Sequence, residues 1–222
     1  MGQVGLMAAL KMLHLLCFVY WLGGDLGTFY SAGLVVRRDL SPEARVTAAR
    51  IMAATDLAPR VVMPLTVASG LHLAVASGFL SLPLAAVVAA WGLCAAWLAM
   101  VLVLHHHPGK AMLVRVDFVW RVVLVAGLLL VALMGYTQAW VQPAPWLALK
   151  LAAFAGTVFC GLMIRVRVRP FGPAFAQLMQ GVASEAVNND IARSLGAARP
   201  WVVGIWALLL LAAFIGLHGI TP

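Results

Sequence analysis

Two histidines and two lysines stand in stretches otherwise too apolar for them. His14 lies in the run Leu10-Lys11-Met12-Leu13-His14-Leu15-Leu16-Cys17-Phe18-Val19-Tyr20-Trp21-Leu22-Gly23-Gly24-Asp25, inside an apolar segment from Val4 to Val36. His72 lies in a second apolar segment and Lys150 near the start of another. An ionisable side chain at membrane depth is expensive, faces the bundle interior or water, and by default marks a functional site. Two imidazoles from facing helices at matched depth, in an apolar cleft that excludes water, are what six-coordinate haem b requires. His14 and His72 are therefore the candidate iron ligands. Lys11 and Lys150 are candidates for neutralising the propionates. Lys11, His14, Phe18, Trp21 and Asp25 fall near one stripe at helical spacing, which adds Trp21 to the cofactor-binding set. The alternative for each histidine is a hydrogen bond to a neighbouring helix and nothing more.

The elements that must position these groups follow from composition. The 222 residues are 64% hydrophobic and only 10% charged, against about 25% charged in soluble domains. The fold class is all-α: a polytopic transmembrane helix bundle forming one integral membrane domain over residues 1–222. Six spans are expected, at about 4–36, 61–80, 84–104, 118–136, 146–164 and 201–218. The N-terminal stretch lacks the pattern of a signal peptide, so residue 4 onward reads as a retained helix.

The formal net charge of +8 does not point to nucleic acid, because the basic residues cluster between spans. Arg37, Arg38, Arg45, Arg50 and Arg60 follow the first. Lys110 and Arg115 follow the third, and Arg165, Arg167, Arg169, Arg193 and Arg199 follow the fifth. The opposite connections, Ser81-Leu82-Pro83 and Gln138 to Pro145, carry no Lys or Arg. The positive-inside rule then places both termini outside and the chain in a bacterial inner membrane, with anionic lipid as a partner of the basic side. On this orientation His14 and His72 both lie roughly 10–15 Å from the outer surface, counting 1.5 Å per residue. Haem in the outer half of the bilayer is the resulting expectation.

Ser41-Pro42-Glu43 reads as an N-cap, a first-turn proline and an acid, opening a short helix towards Asp56. Residues 173–195 read as an interfacial segment. Trp140 and Trp146 on one side, and Trp120 and Trp201 on the other, suit interfacial belts. Asp117 and Arg121, at i and i+4, pair most simply with each other. Asp25 suits either proton relay or pairing with an arginine such as Arg60. His105-His106-His107 before Pro108-Gly109 reads as a polar cap rather than a metal site, and His218 as an interfacial residue, a ligand or a proton carrier. Cys17, Cys94 and Cys160 all lie in apolar spans, and an odd count without a CxxC motif supports neither a disulfide framework nor a zinc site.

Three segments carry a family resemblance. Leu13-His14-Leu15-Leu16 running to Trp21-Leu22-Gly23-Gly24 resembles the first-helix "LH…W-x-G-G" pattern of the HemJ-type protoporphyrinogen oxidases and the CopD-type copper-resistance membrane proteins. Pro64-Leu65-Thr66 to Ser69-Gly70-Leu71 resembles the second helix of the HemJ family, and Trp146-Leu147-Ala148-Leu149-Lys150-Leu151 its "W-L-H-x-K-L" motif. The resemblance implies a haem-b-binding redox bundle in which the family's histidine falls on His14 and its lysine on Lys150. Ala148 stands where the motif has histidine, and two more spans separate the second motif from the third than the family has.

The leading expectation is thus a cytochrome b-like membrane protein, transferring electrons or oxidising a porphyrinogen, with a quinone, porphyrin or redox protein as partner. Self-association into a homo-oligomer is compatible with it. A copper-handling protein using histidines with Met7, Met12 and Cys17, and a non-catalytic subunit of a respiratory complex, are the alternatives.

Overall fold

The computed structural model describes residues 2–107, 109–137 and 145–218, with the side chains of residues 2, 3, 136, 137, 145 and 218 outside the description. Trp140, most of the 138–145 connection and the His218 side chain therefore lie beyond it. Among the described residues all regular secondary structure is helical: α1 (Gly2–Val35), α2 (Pro42–Thr55), α3 (Leu57–Ala76), α4 (Leu84–His106), α5 (Ala111–Thr137), α6 (Pro145–Arg167), α7 (Phe171–Met179) and α8 (Glu185–His218). Six of these, α1, α3, α4, α5, α6 and α8, are long and apolar enough to cross a membrane. A helix meets its backbone hydrogen bonds internally, which a bilayer demands, so α4 is stable although almost every side chain in it is apolar.

The spans pack in a closed circuit. Helix α1 lies on α3, α3 on α4, α4 on α5, α5 on α6, α6 on α8, and α8 back on α1. The α1–α3 pair is antiparallel: Ser77 Oγ donates to Met7 Sδ at 3.9 Å and His14 pairs with Ser69, while Thr28 meets Thr55 at the end of α2 just before α3 begins. Gly24 and Gly27 make this approach possible. A Cβ on Gly24 would fall 2.6 Å from Pro59 Cδ, and one on Gly27 would fall 3.0 Å from Thr55 Cγ2. These two glycines serve helix packing. Trp21, Cys17, Met63, Trp97, Val158 and Leu209 form the buried centre, with Trp21 edge-on to Phe154 of α6 at 5.9 Å. Large apolar side chains such as Val4, Leu84, Met112 and Leu217 cover the outside, as expected where lipid is the solvent.

A second, smaller core lies at the basic end. Val35 from α1, Ala48 and Ala49 from α2, Ala174 and Leu178 from α7, and Val187, Ile191 and Leu195 from α8 come together there. With 34 residues each, α1 and α8 run to about 50 Å at 1.5 Å per residue, well beyond a hydrocarbon core of about 30 Å. Their surplus length builds this layer. Arg45 fixes it, donating from Nε to the Val35 carbonyl at 2.8 Å and from Nη1 to Asn188 at 2.8 Å. Arg38 bonds Glu185 at 3.0 Å and Asn189 at 2.6 Å. Arg38 and Arg45, two of the arginines that follow the first span, are therefore structural ties between α1, α2 and α8.

The N-cap at Ser41 is as expected: its Oγ accepts from the Ala44 amide at 3.3 Å, with Pro42 in the first turn. Other expectations are corrected. The last span begins at Glu185, and Pro200 is carried inside it without ending the helix. The segment expected over 173–195 is divided: the nine-residue α7 ends at Met179, and α8 begins at Glu185. The fourth span begins at Ala111 rather than near Phe118.

Candidate functional site

The intramembrane polar residues gather in two places, one in each half of the bundle. The first is built around His14. Its Nδ1 lies 2.9 Å from Ser69 Oγ of α3, and Ser69 Oγ in turn donates to the Thr66 carbonyl at 3.4 Å. In the tautomer with the proton on Nδ1, His14 donates to Ser69 Oγ, whose own proton goes to the Thr66 carbonyl. The neutral ring then carries its free lone pair on Nε2. Gly70 leaves the space the ring occupies, since a Cβ there would sit 3.0 Å from His14 Cε1. Lys150 of α6 is near enough to act on the charge of the His14 ring. Its ammonium rests against α8 at Gly216, where a Cβ would come 2.6 Å from Nζ. Four helices thus meet around one imidazole and one ammonium.

His72 is placed differently. The Trp91 indole of α4 donates to His72 Nδ1 at 3.3 Å, with the rings edge to face at 6.5 Å. The register of α1 on α3 sets His72 one turn farther than Ser69 from the basic end, level with Lys11. No hydrogen bond or ring contact joins the two histidines among the described residues. Lys11 is exposed and stands apart from the His14–Lys150 pair. Trp21 is fully buried two turns below His14 and packs in the central core. Ala148 is buried and lines an apolar groove of about 540 Å³ between α5 and α6, with Leu129, Ala132, Trp146 and Ala152.

A haem iron bound through Nε2 asks the same ring's Nδ1 to donate a hydrogen bond, which also orients the ring. His14 meets that requirement in the tautomer that donates from Nδ1 to Ser69. His72 does not while Trp91 holds it, because an indole N–H can only donate and leaves the His72 proton on Nε2. Of the two histidines, His14 alone keeps a ring nitrogen open to an iron, with Lys150 as a cationic neighbour. No group of three or more His, Cys, Asp or Glu side chains is close enough to hold a metal ion among the described residues.

The second gathering is at the basic end. Asp117 of α5 is fully buried and receives Trp97 Nε1 at 3.1 Å and Arg121 Nε at 3.1 Å, and it also pairs with Arg165 of α6. The i, i+4 pairing of Asp117 with Arg121 was legible in the sequence. The contributions of Trp97 and Arg165 come from other helices and were not. Asp25 does not pair with Arg60, which bridges Asp56 instead, and one Asp25 carboxylate oxygen is buried without a partner. Trp120 packs inward on Trp97 at 6.1 Å rather than standing in a belt. His105 and His106 are exposed and stack edge to face, as a polar cap would.

No protein-family model, curated protein or solved structure matches this chain. The functional reading therefore rests on these side chains.

Proposed function

We propose that the protein is a haem-b-binding integral membrane redox protein, cytochrome b-like, with His14 as an axial ligand. The observation that carries this reading is the Ser69-held imidazole of His14, with Nε2 free and Lys150 beside it. Ser69 holds the ring plane, and in the Nδ1–H tautomer its oxygen accepts the imidazole proton. Lys150, anchored against Gly216, supplies a positive charge for a propionate or for a carboxylate on a substrate. The apolar faces of α1 and α3 exclude water from the same region. Haem, when bound, supplies one-electron transfer. His72 joins as a second ligand only by giving up its hydrogen bond from Trp91. Both termini lie on the outer face of a bacterial inner membrane in this reading, by the distribution of arginines between the spans. Electron transfer to a quinone or protein partner, or oxidation of a porphyrinogen, is the activity such a site supports.

The test is an absorption spectrum of detergent-purified protein made with ample haem, oxidised and then dithionite-reduced. A Soret band with a reduced α-band, lost in His14→Ala, is expected. Absence of haem from the wild type, or an unchanged spectrum in His14→Ala, refutes the reading. Loss of the α-band in His72→Ala as well identifies the sixth ligand.

A further inference from the structure

The polar cluster at the basic end is out of charge balance. Asp117 brings one negative charge, and Arg121 and Arg165 bring two positive ones. Arg60 also acts on Arg121 but has Asp56 for itself. Arg121 is 3% exposed at its side chain, where an uncompensated charge is costly. Its donors are poorly served. Nη1 points at the Met63 sulfur at 3.0 Å, which is a weak acceptor. Nη2 is buried with no partner, and so is the indole N–H of the adjacent Trp120. Both residues border the Trp97 ring, Arg121 at 5.3 Å and Trp120 at 6.1 Å from its centroid. Buried donors normally have acceptors. What this cluster lacks is one acceptor carrying one negative charge. Arg165, whose side chain is 25% exposed, leads from it to the basic surface, the level at which lipid phosphates lie.

We propose that the Asp117–Arg121–Arg165 cluster is an oxyanion-binding site that takes one phosphate group, entering past Arg165 from the basic face of the bundle. Two guanidinium forks match a phosphate better than they match a point anion. The sulfur of Met63 is the partner most readily exchanged. The same chemistry is offered by the phosphodiester of an anionic lipid and by free phosphate. The proposal is independent of haem.

The test uses the full chain in a zwitterionic detergent. Native mass spectrometry and thermal melting are followed against phosphatidylglycerol, with phosphatidylcholine as control, and against inorganic phosphate, with chloride at equal ionic strength. Specific stabilisation by at least one phosphate source is expected. Arg165→Gln should weaken it by roughly tenfold or more, the loss expected for charge-assisted hydrogen bonds. Arg169→Gln removes the same charge from an exposed position outside the cluster and should change it by less than about threefold. Arg165→Lys, which keeps the charge and lacks the fork, should fall between them and covers the case in which the glutamine variant does not fold. Response to phosphatidylglycerol alone identifies a lipid site, and response to inorganic phosphate a soluble one. Equal losses in Arg165→Gln and Arg169→Gln, or no stabilisation by either source, overturn the proposal.

Discussion

Replacing Ser69 by alanine tests the hydrogen bond on which the His14 site rests. Ser69 is fully buried, and its hydroxyl joins His14 Nδ1 at 2.9 Å to the Thr66 carbonyl at 3.4 Å. Removing one oxygen leaves the helix intact, because alanine is the better helix former. The loss is therefore the hydrogen bond itself. Side-chain hydrogen bonds between transmembrane helices average about 0.6 kcal/mol and reach about 1.7. A half-buried imidazole nitrogen left without its partner puts this pair in the upper part of that range, near 1–1.5 kcal/mol. A double-mutant cycle over Ser69→Ala and His14→Ala, read by reversible unfolding in mixed micelles, isolates the coupling. A value of about 1 kcal/mol is expected. With haem bound, Ser69→Ala should also weaken its affinity by about 10- to 100-fold, the usual effect of losing a partner that orients a ligand. A coupling indistinguishable from zero refutes the pairing. A haem affinity unchanged in Ser69→Ala, with the coupling present, refutes only its role in holding a ligand.

Gly24→Ala should destabilise the bundle by about 1–3 kcal/mol, because its Cβ meets Pro59 Cδ at 2.6 Å and Ala58 Cβ at 3.0 Å, while Gly23→Ala, with nothing within 4 Å, should be neutral or stabilising; thermal melting of the two variants side by side checks the contrast. Gly216→Ala should leave stability within about 1 kcal/mol, since the atom it meets is the mobile end of Lys150 at 2.6 Å, yet it should shift the ammonium; an unchanged haem reduction potential would show that Lys150 does not act on the iron site. The Arg37 guanidinium beside Asp39 holds that carboxyl below its ordinary value. Its small contribution is therefore present above the unfolded carboxylate range and fades as pH falls through the folded value. Hydrogen exchange around Leu40–Ala44 should quicken at pH 3 relative to pH 7 after correction for intrinsic rates, and Asp39→Asn should remove the difference.

The class of fold was fixed by composition. A chain this apolar has no soluble solution, and a bilayer admits helices because each satisfies its own backbone. The six spans and the Ser41 cap follow from local sequence for that reason. Length was harder to read. Hydropathy marks where a helix is apolar, whereas α8 continues as a helix through Glu185–Ala198 because Val187, Ile191 and Leu195 have a second core to enter.

The sequence by itself also singled out His14, His72, Lys150 and the Asp117–Arg121 pair, because an ionisable residue is conspicuous in an apolar run. Only the tertiary structure decided who meets whom. It gave His14 to Ser69, His72 to Trp91, Lys150 to the cleft at Gly216, and Arg165 to Asp117. It also left Lys11 on the outside and used Gly24 and Gly27 for helix contact. The physical reason is that hydropathy records how deep a residue lies in the membrane, while rotation of each helix about its axis is set by side-chain packing against its neighbours. That packing is a property of pairs of helices far apart in sequence, such as Trp21 against Phe154 or Arg165 against Asp117, and no single span contains it.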